Sequence, residues 1–363
     1  MNRELGEIII SHSLTYPCME ITDMLKLIYQ NEFGGGHLIK EPSLSLLRLK
    51  EEIASAEKTA DGIYVENIGN NLVRVYLYGF TKLFGDIYLA ARVLNGLFVK
   101  SSSFIKGDIS SYDEKLNTLL YMCKNSRLPE VLTWSKDCYL IKHSIEDNIK
   151  KGRPMLSHSE RYRELYRPKY RVLLSQFAEY IKIFLMINEK LSQGKPVLLA
   201  IDGKCGSGKS TLAGIIADVY NAPVVSMDDF FLPLELRTRE RLDSPGGNVH
   251  YERFLNEVLK PYDSGGNIEY RPFDCSVMDF SKECRKVEYN NFLIVEGSYS
   301  MRPELLAYYD IKIFMDISPE KQMERIIKRN GKDGFINFKN RWIPMENQYF
   351  EYYNLARKCD MVL

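Results

Sequence analysis

The sequence lacks several features that would mark a membrane, secreted or zinc-dependent protein. No stretch approaches the ~20 uncharged apolar residues that a membrane span requires, so no membrane partner is expected. The first 13 residues include Arg3, Glu4 and Glu7 and hold only a three-residue apolar run, which predicts neither a secretory signal nor a transit peptide. The five histidines form no His-x-x-x-His pair, so no zinc site is predicted.

Cysteine use gives no sign of a disulfide framework. The seven cysteines are odd in number and scattered, and no pair has Cys-x-x-Cys spacing. Such a pattern is typical of free thiols in a reducing cytosol. We therefore predict free cysteines and a cytoplasmic protein. The cysteines are Cys18, Cys123, Cys138, Cys205, Cys275, Cys284 and Cys359.

An excess of charge of one sign is also absent. Lys and Arg number 49 and Asp and Glu number 48, a formal net charge of +1. Proteins that live on nucleic acid usually carry a larger basic excess, so a nucleic-acid partner is not expected. With 363 residues, 45% hydrophobic and 27% charged, the composition is that of a soluble globular protein of about two domains. It leaves the oligomeric state open, a homo-oligomer included.

The first half of the chain predicts a mainly helical accessory domain of the α+β class, residues 1–170. Between apolar stretches with helical spacing lie two alternating runs, 62–68 and 72–77, joined by the turn residues Gly69-Asn70-Asn71. This pattern predicts a small β-hairpin. Residues 171–195 are predicted to be a connecting helix, which Gly194 ends.

The second half, residues 196–363, predicts a different architecture. Short continuous apolar runs, typical of parallel strands buried on both faces, recur at 197–201, 223–227, 292–295 and 311–317, with a last candidate at 360–363. Helical stretches separate most of them. Strand–helix alternation predicts an α/β domain with a doubly wound parallel sheet.

A phosphate-binding loop is the strongest motif in the chain. Residues 203–211, Gly-Lys-Cys-Gly-Ser-Gly-Lys-Ser-Thr, match G-x-x-x-x-G-K-[ST] between an apolar strand and a helix. Glycines let backbone N–H groups approach phosphate oxygens at the positive end of a helix. Lys209 is expected to reach the β- and γ-phosphates and Ser210 to bind Mg²⁺. The predicted nucleotide-binding residues are Gly203, Cys205, Gly206, Ser207, Gly208, Lys209, Ser210 and Thr211.

Acidic residues follow two further predicted strands. Asp228 and Asp229 come after the strand that follows the loop, and Glu296 ends the strand at 292–295. Acids at the carboxyl ends of strands beside a P-loop face the γ-phosphate crevice. They can accept a proton from an attacking hydroxyl or hold Mg²⁺ through water. No Asn-Lys-x-Asp motif is present, which counts against a GTPase.

These motifs carry a resemblance. From Ile201 to the C-terminus, the segments Asp-Asp-Phe-Phe-Leu-Pro at 228–233 and Val-Glu-Gly-Ser-Tyr at 295–299 resemble the uridine kinase and phosphoribulokinase-like family of P-loop kinases. The resemblance implies transfer of phosphate from ATP to a small-molecule hydroxyl, with Asp228 as catalytic base and Glu296 on the Mg²⁺ side. It also implies a lid around Gly331 and Gly334 that brings cationic residues to the phosphates on closure; these are Arg325, Arg329 and Arg341.

The acceptor site is predicted beside Asp228, walled by the polar insertion at 237–270. The alternative is that this insertion is only a surface loop. Asp229 is expected to touch the acceptor, an aromatic residue after it to pack on a base or sugar, and polar residues of the insertion to bind hydroxyls or phosphate. These residues are Phe230, Phe231, Arg241, Tyr251 and Arg271. The family's lid is denser in arginine, and its acceptor segment has no strict counterpart here, which leaves nucleoside specificity open.

Two segments of the first half have two interpretations each. Gly34-Gly35-Gly36-His37 predicts either an anion-binding backbone nest or a flexible turn. Residues 150–171, which include the segment His158–Arg163, hold eight basic residues, two glutamates and interleaved tyrosines. They suit either RNA or a phosphorylated ligand, or an ion-paired or solvated face, which the near-zero total charge favours.

The leading hypothesis is an ATP- and Mg²⁺-dependent kinase of a small hydroxylated metabolite, uridine kinase-like. The alternatives are a kinase of a sugar, sugar acid or vitamin alcohol, and, from another class, an ATP-dependent switch or sensor whose first half binds a ligand.

Overall fold

A computed structural model describes residues 2–56 and 62–363. The chain divides into two compact units, Met1–Ile181 and Lys182–Leu363. None of the helices in the described part of the chain is both long and apolar enough to cross a membrane.

The first unit surrounds a small antiparallel sheet with helices. Its elements are α1 (Arg3–Thr15), α2 (Ile21–Phe33), α3 (Pro42–Ala54), β1 (Val65–Gly69), β2 (Leu72–Tyr76), α4 (Phe80–Phe84), α5 (Ile87–Phe104), α6 (Ile109–Lys124), α7 (Cys138–Lys150), α8 (Glu160–Tyr166), β3 (Tyr170–Leu174) and α9 (Ser175–Glu179). The strands pair in the order β1-β2-β3. The predicted hairpin is therefore present, and a third strand extends it.

The third strand corrects the prediction of a connecting helix at 171–195. Arg171 to Leu174 lie in β3, where Leu173 pairs with Val73 and Arg171 with Val75. Helix begins only with α9 and continues in α10 (Ile181–Leu191). Short apolar runs fit a strand as well as a helix, and here pairing with β2, about 100 residues earlier in the sequence, decides between them.

A disulfide bond joins Cys123 to Cys138, so the prediction that all cysteines are free thiols is wrong for this pair. Cys123 lies in the last turn of α6 and Cys138 begins α7. Their Cα atoms are 5.8 Å apart, within the range that a disulfide spans. The return of the chain between two helices creates this proximity, and no local spacing motif signals it. The other five cysteines are free.

The second unit is built on a five-stranded parallel sheet. Its elements after α10 are β4 (Val197–Gly203), α11 (Lys209–Tyr220), β5 (Val224–Ser226), α12 (Arg239–Asp243), α13 (Tyr251–Phe254), α14 (Lys260–Asp263), β6 (Ile268–Tyr270), β7 (Phe273–Asp274), β8 (Asp279–Phe280), β9 (Arg285–Val287), β10 (Phe292–Glu296), β11 (Ile311–Met315), α15 (Pro319–Asn337), α16 (Ile343–Tyr353) and β12 (Met361–Val362). The sheet order is β12-β11-β4-β10-β5. The predicted α/β class is confirmed.

The parallel register aligns the carboxyl ends of the central strands. Glu296 of β10 pairs with Ile201 of β4 on one side and with Ser226 of β5 on the other. These strands are apolar because both faces of the sheet are covered; β10 is buried along its whole length. The loops that leave β4, β5 and β10 therefore meet at one edge of the sheet.

Candidate functional site

The P-loop runs from the end of β4 into α11. A Cβ on Gly203 would lie 2.1 Å from the carbonyl oxygen of Met315, so only glycine lets β4 pass β11 this closely. Gly208 precedes the helix, and α11 begins at Lys209, with Ser210 and Thr211 in its first turn. All predicted nucleotide-binding residues therefore lie in one strand–loop–helix element whose helix N-terminus suits an anion.

Lys209 is held over the loop by three oxygen atoms. Its ammonium group donates to the carbonyl oxygens of Gly203 at 2.7 Å and Lys204 at 3.1 Å, and to the Ser298 hydroxyl at 3.2 Å. The residue is only 9% exposed. These three partners are neutral oxygens, so none of them is a counter-ion that would compete with an incoming phosphate.

Glu296 accepts hydrogen bonds from two serines at the sheet edge. The Ser210 hydroxyl donates to Oε2 and the Ser226 hydroxyl to Oε1, each at 3.0 Å. Within residues 2–56 and 62–363, no three His, Cys, Asp or Glu side chains are grouped to hold a metal ion. Mg²⁺ at nucleotide sites usually takes one or two protein oxygens together with phosphate and water oxygens. The hydroxyl of Ser210 and the carboxylate of Glu296 fit that donor set.

Asp228 and Asp229 have different surroundings. Asp229 accepts from the Tyr270 hydroxyl at 2.8 Å and from Arg285 at 2.5 Å. In the described part of the chain, the Asp228 carboxylate has neither a hydrogen-bond nor an ion-pair partner. Asp228 is an exposed residue, but the protein atoms around its carboxyl partly desolvate it, and this desolvation and next the negative charge of Glu296 raise its pKa. An unpartnered carboxylate with a raised pKa is chemically suited to act as a general base.

Glu346 of α16 reaches into the P-loop. Its carboxylate accepts from the Cys205 N–H at 2.8 Å and from the Ser298 hydroxyl at 2.7 Å, and the residue is 5% exposed. Burial, and next the negative charge of Glu346, raise the pKa of the Cys205 thiol to about 12. Sequence reasoning did not assign Glu346 a role, because 141 residues separate it from Cys205.

Asp202 is a second buried acid that sequence reasoning missed. It accepts from the backbone N–H groups of Gly203, Tyr299 and Met301, and from the Tyr349 hydroxyl at 3.0 Å. Desolvation outweighs these donors and raises the pKa of Asp202 to about 6. Asp202 thereby ties the start of the P-loop to the segment that follows β10.

The predicted lid arginines occupy different positions. Arg325 donates to the carbonyl oxygens of Gly206 and Ser207 at 3.0 and 2.9 Å, so it supports the P-loop from α15. Arg329 donates to the Asn330 side chain and lies over the Phe338 ring. Its positive charge acts to lower the pKa of the Cys205 thiol, against the larger effect of burial. Arg341 lies over the Trp342 ring.

The predicted acceptor residues divide into core, loop and exposed positions. Phe230 is fully buried against Phe254 and Tyr270, so it is part of the core. Phe231 is half-buried and faces Trp342, with ring centroids 6.0 Å apart. Arg271 is exposed and donates to the Ser281 carbonyl oxygen.

Arg241 is engaged entirely within its own segment. Its guanidinium donates to Gly247 and Val249 carbonyl oxygens, to the Tyr251 hydroxyl and to both carboxylate oxygens of Glu252. These five contacts use every N–H of the side chain. Arg241 therefore shapes the loop 241–252 and has no N–H group left for a ligand. Tyr251 is likewise engaged: both Arg241 and Arg302 lie over its ring.

In the first unit, the glycine segment serves packing. A Cβ on Gly34 would meet Ile105 at 2.8 Å and one on Gly35 would meet Phe98 at 3.1 Å. His158 is buried between Asp23, 2.8 Å from Nδ1, and the Tyr170 hydroxyl, 2.6 Å from Nε2. Burial lowers the pKa of His158 to about 4, so it is neutral near pH 7. This histidine is a satisfied core residue.

Comparisons with known proteins identify relatives of the second half of the chain. No protein-family model matches the chain. The uridine kinase of Clostridium perfringens is 29% identical over 173 residues, which cover 43% of this chain and 82% of that protein. The uridine kinase of Clostridium botulinum is 31% identical over 166 residues, covering 43% and 77%. The solved structure described as "a Possible Uridine Kinase from Bacillus stearothermophilus" covers 52% of this chain and 99% of that chain, at 18% identity and a TM-score of 0.41. On the sequence matches, the C-terminal part of this chain belongs to the uridine kinase-like family of P-loop kinases.

Proposed function

We propose that the second unit transfers the γ-phosphoryl group of ATP, with Mg²⁺, to a hydroxyl of a small metabolite. One observation carries this proposal: an unpartnered carboxylate, Asp228, lies at the sheet edge that also holds the P-loop and Glu296. The same carboxylate can also position a water for hydrolysis, so the dependence of turnover on an acceptor is what separates a kinase from a switch. The C. botulinum and C. perfringens relatives, named as uridine kinases, support the same chemistry.

Each residue has a separate task in the proposed reaction. The backbone of 203–208 and the Lys209 ammonium bind the phosphates and stabilise charge on their oxygens as transfer proceeds. Ser210 and Glu296 would hold Mg²⁺, which would neutralise phosphate charge. Asp228 accepts the proton of the acceptor hydroxyl as that oxygen attacks phosphorus, and the ADP oxygen takes the electron pair of the broken bond.

The acceptor is proposed to be a nucleoside, with a sugar, sugar acid or vitamin alcohol as alternatives. Phe231 and Trp342 form a half-exposed aromatic pair beside Asp228–Asp229, which suits stacking on a base or sugar face. This aromatic pair favours a ring-containing acceptor over a short acid.

The test is ADP formation by the full chain with Mg²⁺-ATP and a panel of nucleosides, sugars, sugar acids and vitamin alcohols. We expect one class to accelerate ADP release well above the rate with ATP alone. Lys209→Ala should abolish this rate, whereas Lys260→Ala, an exposed lysine of the same unit, should not change it. ATP turnover that no acceptor accelerates would favour the switch over the kinase.

A further inference from the structure

Asn248 and Tyr299 are buried side chains near the proposed site whose polar atoms are unpaired in the described part of the chain. The Asn248 amide lacks a partner at both Nδ2 and Oδ1, and the Tyr299 hydroxyl lacks one as well, among residues 2–56 and 62–363. Asn248 is 6% exposed and Tyr299 3%. Buried polar groups are nearly always satisfied in folded proteins, and leaving one unpaired destabilises the native state.

The two groups lie together at the sheet edge of the proposed site. The backbone carbonyl oxygen of Asn248 accepts from the Leu232 N–H at 3.1 Å. This bond fixes Asn248 beside the segment that follows Asp228 and Asp229. Tyr299 comes three residues after Glu296. The Asn248 amide is near enough to lower the pKa of the Tyr299 phenol, although their geometry is not that of a hydrogen bond.

The backbone around the pair is also held in unusual conformations. Tyr299 has φ +73°, the left-handed region that a bulky residue seldom adopts. Gly246, with φ +69°, brings the loop so close that a Cβ there would lie 2.9 Å from Tyr349 and 3.3 Å from Tyr299. Backbone strain of this kind concentrates at ligand sites.

The chemistry of the pair selects for a neutral ligand group. An amide offers both a donor and an acceptor, and a phenol can act as either, which matches hydroxyl groups. Burial, followed by the negative charges of Glu346 and Asp202, raises the pKa of the Tyr299 phenol. The same two carboxylates disfavour a further carboxylate on a ligand group that contacts Tyr299.

We propose that Asn248 and Tyr299 bind neutral hydroxyl groups of the phosphate acceptor and select a polyol, such as a nucleoside or free sugar, over a sugar acid. This inference rests on the proposed kinase function and narrows its substrate class. Arg241 contributes indirectly, because it holds the Gly247 and Val249 carbonyl oxygens on either side of Asn248.

The first test compares the melting temperatures of Tyr299→Phe and Tyr309→Phe in the full chain. Tyr309 is a matched control: it is 4% exposed, and its hydroxyl donates to the Ser300 carbonyl oxygen at 2.8 Å. Loss of that bond should lower the melting temperature by roughly 2–4 °C. Tyr299→Phe should leave it unchanged or raise it, because no bond is lost. An equal decrease in both variants overturns the proposal, since Tyr299 would then have a structural role.

The second test measures dissociation constants of uridine, D-ribose and D-glycerate for the protein with Mg²⁺-ADP. We expect a neutral probe to bind, and Asn248→Ala and Tyr299→Phe each to weaken that binding about 3- to 10-fold. The proposal is overturned if D-glycerate binds more tightly than uridine and D-ribose and if Asn248→Ala weakens its binding. If none of the probes binds the wild type, the proposal is overturned whatever the melting temperatures. A chain that releases no ADP with any acceptor, yet binds a neutral probe in a way that depends on Asn248 and Tyr299, contradicts the kinase and leaves the ligand site standing.

Discussion

At the scale of single residues, Asp228 and Asp229 show how neighbouring acids acquire different chemistry. Asp229 is neutralised by Arg285 and bonded to Tyr270, while Asp228 faces the acids Glu296 and Glu346. A base must be ionised to accept a proton and must remain free of strong partners. Only Asp228 meets the second condition.

Asp228→Asn is expected to lower kcat about 10²- to 10⁴-fold and to leave the KM for ATP unchanged, because the base acts only as the hydroxyl attacks. Since the pKa of Asp228 is raised, the acid limb of the wild-type pH–rate profile should lie above the ordinary aspartate pKa of 3.8. Steady-state kinetics with the active acceptor, repeated over a range of pH, measures the kinetic constants and the acid limb. If Asp229→Asn removes activity and Asp228→Asn does not, the other carboxylate is the base.

Glu346 places a buried negative charge on a P-loop N–H group, next to the expected phosphate position. Glu346→Gln keeps the size of the side chain and removes that charge, so a non-hydrolysable ATP analogue should bind about tenfold more tightly. Titration calorimetry measures the affinity. Glu351→Gln, an exposed acid on the same helix, is the control and should bind the analogue like the wild type. Weaker binding by Glu346→Gln would mean that the carboxylate holds the loop in its binding shape.

At the scale of elements, α15 and α16 both contact the P-loop. Gln322 and Arg325 of α15 donate to its carbonyl oxygens, and Glu346 of α16 accepts from its Cys205 N–H. Gly331, with φ +75° and ψ 173°, interrupts the helical path of α15. We therefore expect residues 332–342 to pivot about Gly331, while the part of α15 before Gly331 keeps its contacts with the P-loop.

Within the predicted lid, 331–348, Glu346 already contacts the P-loop, so residues 331–342 are the part expected to close when nucleotide binds. Trypsin should cleave at the exposed Lys332, Lys339 and Arg341 more slowly with a non-hydrolysable ATP analogue and Mg²⁺ than without. Cleavage at the exposed Lys142 of the first unit is the internal control and should not change. Equal cleavage at both sets of sites, with and without the analogue, would contradict a lid.

At the scale of the whole molecule, the two units contain buried titratable groups whose contributions to stability change in opposite directions with pH. Burial lowers the pKa of His12 and of His158 in the first unit to about 4. Burial raises the pKa of Asp202 in the second unit to about 6. The histidines bind more protons when unfolded, whereas Asp202 binds more when folded.

The first unit should therefore lose stability as the pH falls from about 6.5 to about 4, by about 3 kcal/mol per histidine at most. Over the same range Asp202 acts with the opposite sign, and the second unit should gain from its protonation. Urea unfolding followed by Trp134 fluorescence in a Trp342→Phe variant measures the first unit. His158→Gln should make its pH dependence shallower. A stability that does not change over this range would show that the histidines are not buried as neutral groups.

The sequence by itself determined the P-loop, the parallel strands around it, and the placement of Asp228 and Glu296 at strand ends. These features follow from local patterns: buried parallel strands are apolar runs, and their carboxyl ends share one edge. The hairpin at 65–76 follows in the same way from alternation and turn residues.

Only the tertiary structure decided the disulfide, the third strand of the first unit, and the partners of Glu346 and Asp202. Each depends on contacts between residues far apart in the sequence, such as Cys205 and Glu346. Such contacts leave no periodicity or spacing in the chain. Burial and pairing also decided which polar side chains are already satisfied. The Arg241 side chain uses every donor within its loop, whereas the Asn248 side chain has no partner among residues 2–56 and 62–363. That difference is invisible in the sequence, because it depends on where the surrounding backbone presents its carbonyl and N–H groups.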